Sequence, residues 1–200
     1  MPDSNASDTR VAPPLRGNER TAKLLIAGHF GAGKTTLVQT LSQITPLSTE
    51  EVMTSAGVGT DHTDLPGKTK TTVAMDFGRL SLSDDLVLYL FGAPGQKRFF
   101  PVLRDLSFGS LGALVLTDTR RLTDTYPILE LIEGLALPYA IAVNAFDDAP
   151  VHTDERLREV MDLEPSTPLV TCDARDRRSS TDALIVLMRQ LLSLAPEASR

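Results

Sequence analysis

The run Gly28-His29-Phe30-Gly31-Ala32-Gly33-Lys34-Thr35 constrains this chain more than any other segment. It fits the pattern G-x-x-x-x-G-K-[ST]. It follows the apolar stretch AKLLIAG and opens a segment whose apolar residues, Leu37, Leu41 and Ile44, recur at helical spacing. A glycine-rich turn between strand and helix lets the backbone aim several N–H groups at one anion, and the positive end of the helix adds to them. Gly28, Gly31 and Gly33 supply the turn, and Lys34 supplies a point charge for terminal phosphates. The Thr35 hydroxyl is placed to ligate Mg²⁺. Phe30, Ala32 and Thr36 complete the expected contact set, and His29 is read as a spacer because the loop works through its backbone.

Five further strand-like stretches follow, TTVAMDFGRLSL, DLVLYLFG, LGALVLT, PYAIAVNAF and TPLVTC. Helical windows lie between them, carried by Ile128, Leu129, Ile132 and Leu135, by Leu157, Val160 and Met161, and by Leu184, Leu187, Met188 and Leu191. The alternation predicts an α/β fold of the P-loop NTPase type: a six-stranded, mostly parallel sheet with helices on both faces. One antiparallel hairpin strand is expected, 72–82 against 85–91 about the turn Ser83-Asp84. Two hundred residues, 42% of them apolar, suit one domain, read as 21–200. Residues 1–20 mix Ser, Asp, Asn, Pro and Arg and read as a flexible tail.

Charge then narrows the partners. Twenty basic residues against 26 acidic ones leave a formal charge of -6, which argues against nucleic-acid binding and against an anionic lipid surface. Any phosphate must be held locally. No window has the 18 apolar residues of a membrane span, so direct insertion is not expected and membrane placement would come through a partner. The single cysteine, Cys172, fits a reducing compartment and hence a cytoplasmic location.

Connection 46–71 is rich in Thr, Ser, Gly and Asp and has little apolar periodicity, so it is a candidate ligand-responsive loop. Thr72, at its end, is the best hydroxyl to sense a terminal phosphate and its metal, with Thr69 and Thr71 as neighbours.

Four segments resemble those of Ras-like small GTPases. Thr72-Val73-Ala74-Met75-Asp76-Phe77 is similar to the family's T-I-G-V-D-F, and Gly92-Ala93-Pro94-Gly95-Gln96-Lys97-Arg98-Phe99 resembles its D-T-A-G-Q-E-R-F. Val143-Asn144-Ala145-Phe146-Asp147 resembles N-K-x-D, and Thr171-Cys172-Asp173-Ala174-Arg175 resembles T-S-A-K. The resemblance implies a GTP/GDP switch with bound Mg²⁺, in which Gly95 contacts the γ-phosphate and Gln96 orients the attacking water with help from Lys34 and Thr72. Asp147 would read guanine N1 and N2, Asn144 would tie the base pocket to the P-loop, and Cys172, Ala174 and Arg175 would line or cover the base. Two residues depart from the family pattern. Gly92 replaces the Asp that orients the metal shell, leaving Asp76 on the neighbouring strand as the substitute carboxylate. Phe30 stands where small GTPases carry Gly and should slow hydrolysis.

GHFGAGKTT, TTVAMDFGR, FGAPGQKRF and the CDAR loop look closest to the small GTPase of conservon operons, and more distantly to gliding-polarity GTPases. That likeness implies operon partners: a Roadblock/LC7-type protein, a histidine-kinase-like membrane protein and a small DNA-binding-like protein. The gliding relatives carry an arginine where Thr71 stands, which leaves Lys68, Lys70 or Arg98 as substitute cations. Phe99, Phe100 and Phe108 either bury or form a partner-facing patch. The competing readings are a nucleotide-locked scaffold and a P-loop small-molecule kinase.

Overall fold

The computed structural model describes residues 15–53 and 71–195, with backbone alone at 48–53 and 71–74. Residues 1–14 of the expected tail, and 54–70 of the expected loop with Lys68, Thr69 and Lys70, lie outside the described residues.

The elements run β1 (Arg20–Gly28), α1 (Lys34–Leu41), β2 (Leu47–Met53), β3 (Thr71–Ser83), β4 (Leu86–Gly92), α2 (Phe100–Ser107), β5 (Gly112–Thr117), α3 (Tyr126–Gly134), β6 (Tyr139–Asn144), α4 (Asp154–Met161), β7 (Leu169–Cys172) and α5 (Arg177–Leu194). They build one sheet in the order β2-β3-β4-β1-β5-β6-β7. Strands β4, β1, β5, β6 and β7 are parallel, and β3 pairs antiparallel with both β4 and β2.

All six expected strands are present, including the hairpin. The seventh, β2, corrects the reading of 46–71 as one irregular connection. LSTEEVM has no clean alternation of apolar and polar residues, so its period is illegible. Its backbone is nevertheless extended along β3 at the end of the strand order, where among the described residues one side of the strand has no neighbour, a position that tolerates charged residues. Helix α2 was not expected either. It is short, starts at Phe100-Pro101 behind a 3-10 turn at Lys97–Phe99, and buries only Leu103.

The two faces of the sheet make two cores, and β1 shows why. Leu24 and Ile26 point to one face and pack with Leu37, Val38 and Leu41 of α1 and Ala183, Leu184 and Leu187 of α5. Leu25 and Ala27 point to the other, with Leu103 of α2, Ile128 and Ile132 of α3 and Leu157 of α4. This two-sided burial explains a continuous apolar strand, since successive side chains face opposite ways. Each fully buried leucine contributes about 1.5–3 kcal/mol.

Local signals set the helix starts. Thr153 accepts from Arg156 N at 3.3 Å to begin α4, whose first turn carries Asp154 and Glu155. Asp176 accepts from Ser179 N at 2.7 Å to begin α5. Helix α1 starts at Gly33, whose φ of 100° is a left-handed conformation costly for other residues. Among the described residues no helix is long and apolar enough to cross a membrane. With helices on both faces and β1 at the centre, the ends of β1, β4, β6 and β7 converge on one rim, where α/β sheets carry their ligand sites.

Candidate functional site

At that rim a cleft of about 490 Å³ opens between Gly31–Thr36, Asp76, the segment 93–99 and Phe146. Its volume is that of a small-molecule site. Lys34 lies at its base, buried, with Nζ donating to His29 O at 2.8 Å across the loop. Burial pulls the Lys34 pKa down to about 8, against the opposing charge of Asp76.

Beside it, Thr35 Oγ1 donates to Asp76 Oδ2 at 2.6 Å, and Asp76 is buried. Asp76 and Gly92 are register partners across the hairpin. A Cβ built on Gly92 would fall 2.9 Å from Asp76 Cβ and 3.0 Å from its Oδ2. The Asp76 carboxylate therefore stands in the space a side chain at 92 would fill. A hydroxyl and a carboxylate in contact are hard oxygen donors of the kind that suit Mg²⁺, which keeps several waters and takes its remaining ligands from phosphate oxygens. Among the described residues no group of three or more His, Cys, Asp and Glu could hold a metal. Thr72 lies in β3 opposite Val52, and its side chain is outside the described residues.

The segment after β4 presses on the P-loop. A Cβ on Gly95 would lie 2.4–2.5 Å from His29 C, Gly28 O and Phe30 N, so only glycine allows the approach. Gln96 lines the cleft, and its Oε1 accepts from Arg98 Nε at 2.7 Å. Phe30 lines the mouth with 64% of its surface exposed. The three aromatics separate: Phe99 is buried, Phe100 packs part-way against the core, and Phe108 is 89% exposed.

The two loops after β6 and β7 meet through Asn144, which is buried. Its Nδ2 donates to Ala32 O and its Oδ1 accepts from Ala174 N, both at 3.0 Å. One side chain thus joins the P-loop, β6 and the loop after β7. Asp147 and Arg175 sit at the outer end of this arrangement, both exposed. Arg175 Nη2 and Nη1 donate to Asp147 Oδ1 and Oδ2 at 2.9 and 3.2 Å. These bonds and the guanidinium charge hold the Asp147 carboxyl below the usual carboxylate range. Cys172 is fully buried among core residues, and desolvation raises its thiol pKa. Ala174 is also buried in that core.

Sequence reasoning missed the wall on the β5 side. Asp118, at the end of β5, is buried and accepts from the backbone N, Nε and Nη2 of Arg120. Burial works to raise the Asp118 pKa, but the Arg120 bonds and charge outweigh it and hold the carboxyl below its usual range. Arg120 also bridges to Asp148 and lies 3.9 Å over the Phe146 ring, which fixes that ring in the cleft wall. A signal was available: an Asp closing an apolar strand one strand away from the P-loop, followed by Thr-Arg-Arg.

This architecture has known counterparts. The translation elongation factor SelB of Methanococcus maripaludis, solved with the GTP analogue GPPNHP, superposes with a TM-score of 0.61 at 18% identity over 90% of this chain and 36% of its own. The Arl6 BBS3 small GTPase of Trypanosoma brucei, solved with the analogue GppNp, gives 0.59 at 13% identity over 88% of this chain and 100% of its own. A bacterial selenocysteine-specific elongation factor EF-Sec gives 0.57 at 18% identity over 87% of this chain and 29% of its own. At these identities the likeness shows the fold alone, an α/β P-loop fold with a mostly parallel sheet. The chain spans about a third of the two elongation factors. No curated protein matches the sequence. A family model does match, over residues 26–194, from the end of β1 to the end of α5. It covers the P-loop and both loops joined by Asn144, and by that match the chain belongs to the family described as "Conserved hypothetical ATP binding protein".

Proposed function

We propose that this protein is a guanine-nucleotide switch that binds GTP and GDP with Mg²⁺ and hydrolyses GTP slowly. The observation that carries the proposal is the Thr35–Asp76 contact beside Lys34, a hydroxyl, a carboxylate and an ammonium grouped at the foot of a P-loop. Thr35 and Asp76, with Thr72 at the start of β3, would hold the metal, which when bound neutralises charge on the phosphates. Lys34 offers its ammonium to the terminal phosphate oxygens, and Gly28, Phe30, Gly31, Ala32, Gly33 and Thr36 contribute the phosphate cradle. Gly95 offers its N–H to the γ-phosphate, and Gln96 orients the attacking water. Arg98 now donates to Gln96 Oε1, the oxygen that would also accept a hydrogen bond from that water, and so occupies one of its two acceptor positions. That competition for Gln96 Oε1, together with Phe30 at the cleft mouth, supports a slow rate.

Asp147 supports guanine. A carboxylate with two acceptor oxygens matches the adjacent N1–H and N2–H donors of guanine, whereas adenine offers no such pair. The family's description favours adenine instead, and competition binding separates the two. GDP and GTP are expected to displace a fluorescent GDP at least about tenfold better than ADP and ATP, the discrimination of one hydrogen bond to a charged group. Equal displacement by ATP would turn the reading to adenine.

Gly95→Ala is expected to weaken the GTP-analogue complex by about tenfold and the GDP complex by less, because the shifted segment loses its contact with the third phosphate while the added Cβ also presses on Gly28 and Phe30 of the cradle. Equal effects on both complexes in a titration would remove Gly95 from γ-phosphate sensing.

On the sequence resemblance the proposal extends to a Roadblock/LC7-type protein and other conservon-type partners, and to a cytoplasmic protein brought to the inner membrane face by such a partner. The switch domain would then begin with β1 at Arg20, one residue ahead of the expected boundary at 21.

A further inference from the structure

The position of the Arg175 guanidinium bears on how the base is admitted. Arg175 uses both of its edges. Nε and Nη2 donate to Asp173 Oδ1 and Oδ2 at 3.0 Å each, and Nη1 and Nη2 donate to Asp147. The Arg175 backbone N also donates to Asp173 Oδ1 at 2.9 Å. Two parallel N–H donors on two carboxylate oxygens is the pattern the Watson–Crick edge of guanine would make with the same group.

We propose that Arg175 is a built-in competitor of the guanine base: its guanidinium imitates the N1–H and N2–H edge at Asp147, so base binding is an exchange of one two-pronged partner for another. The inference rests on the guanine reading of Asp147. The exchange is inexpensive because Asp147 and Arg175 are largely exposed and such pairs are weak. It is also local. The bonds to Asp173 do not involve Asp147, so Arg175 can release the base-reading carboxylate without leaving its loop. A nucleotide whose base lacks two adjacent donors cannot displace the arginine by the same exchange. Arg175 therefore weakens guanine binding alone and narrows the margin of guanine over adenine that Asp147 sets.

The test is titration of fluorescent GDP and ADP into wild type, Arg175→Ala, Arg175→Lys and Asp147→Asn, at low and high salt. Arg175→Ala is expected to tighten GDP by about three- to fivefold at low salt, the factor an exposed ion pair is worth, and to leave ADP unimproved. The gap between wild type and Arg175→Ala should narrow in 0.5 M NaCl, because salt screens the competing pair. Arg175→Lys, which keeps the charge but not the planar edge, should lie between them. GDP affinity that is unchanged or weaker in Arg175→Ala, equal gains for GDP and ADP, or a lysine variant that behaves as wild type would overturn the exchange. The guanine reading fails separately: wild type would not distinguish GDP from ADP, and Asp147→Asn would not alter GDP binding.

Discussion

Replacing Asp76 with alanine is expected to weaken the magnesium dependence of nucleotide retention by about 10–100-fold, the usual loss when a group that orients a metal site is removed. In wild type, a chelator should accelerate GDP release strongly. In Asp76→Ala the rates with and without chelator should converge, because Thr35 loses its carboxylate partner. An unchanged ratio would dismiss Asp76 as the substitute carboxylate. The crowding between Asp76 and a side chain at 92 supplies a second arm. Gly92→Asp alone should destabilise the protein by forcing two carboxylates into one space. Combined with Asp76→Gly, it should recover most of the magnesium dependence, since the two positions face each other across one rung of the hairpin.

Asn144→Ala should be the most damaging single change to folding around the site. It removes two hydrogen bonds and strands the Ala32 carbonyl and the Ala174 N–H, both in buried contacts. At about 1–3 kcal/mol per stranded group, a loss of about 3 kcal/mol is expected. For a chain of this size that lowers Tm by about 6–12 °C. Asn144→Asp keeps the acceptor for Ala174 but sets a carboxylate against the Ala32 carbonyl, so it should be nearly as costly. A melting temperature within about 2 °C of wild type for both variants would show that the three loops hold their places without this side chain.

Much of this arrangement was legible in the sequence because its parts are short and regular. The strand, glycine turn and helix around Gly28–Thr35 carry three independent signals. Gly92 breaks the pattern of the resembled family, and that break points to Asp76 as the substitute carboxylate. The neighbouring position of the two strands made the exchange physically reasonable. Other features have no local signature. LSTEEVM gains its extended form from β3 rather than from its own alternation. Arg120 over Phe146 joins residues 26 positions apart through a cation and a ring, and no periodicity reports that. Arg175 stood out as a side chain near the base. Its engagement of Asp147 depends on loops after two different strands being brought together, chiefly by Asn144.

The hairpin also gives the site an alignment device far from the site itself. Pairing runs Ser81 with Val87 and then Ser83 with Leu86, so Leu82 is an extra residue at the closed end of the hairpin. Side chains alternate across a strand, so a slip of one residue there would turn Asp76 to the opposite face of the sheet and bring its neighbour opposite Gly92. The bulge beside the turn thus acts as an index mark for the carboxylate at the other end of the strand, coupling loop length at 83–85 to the chemistry available beside Thr35.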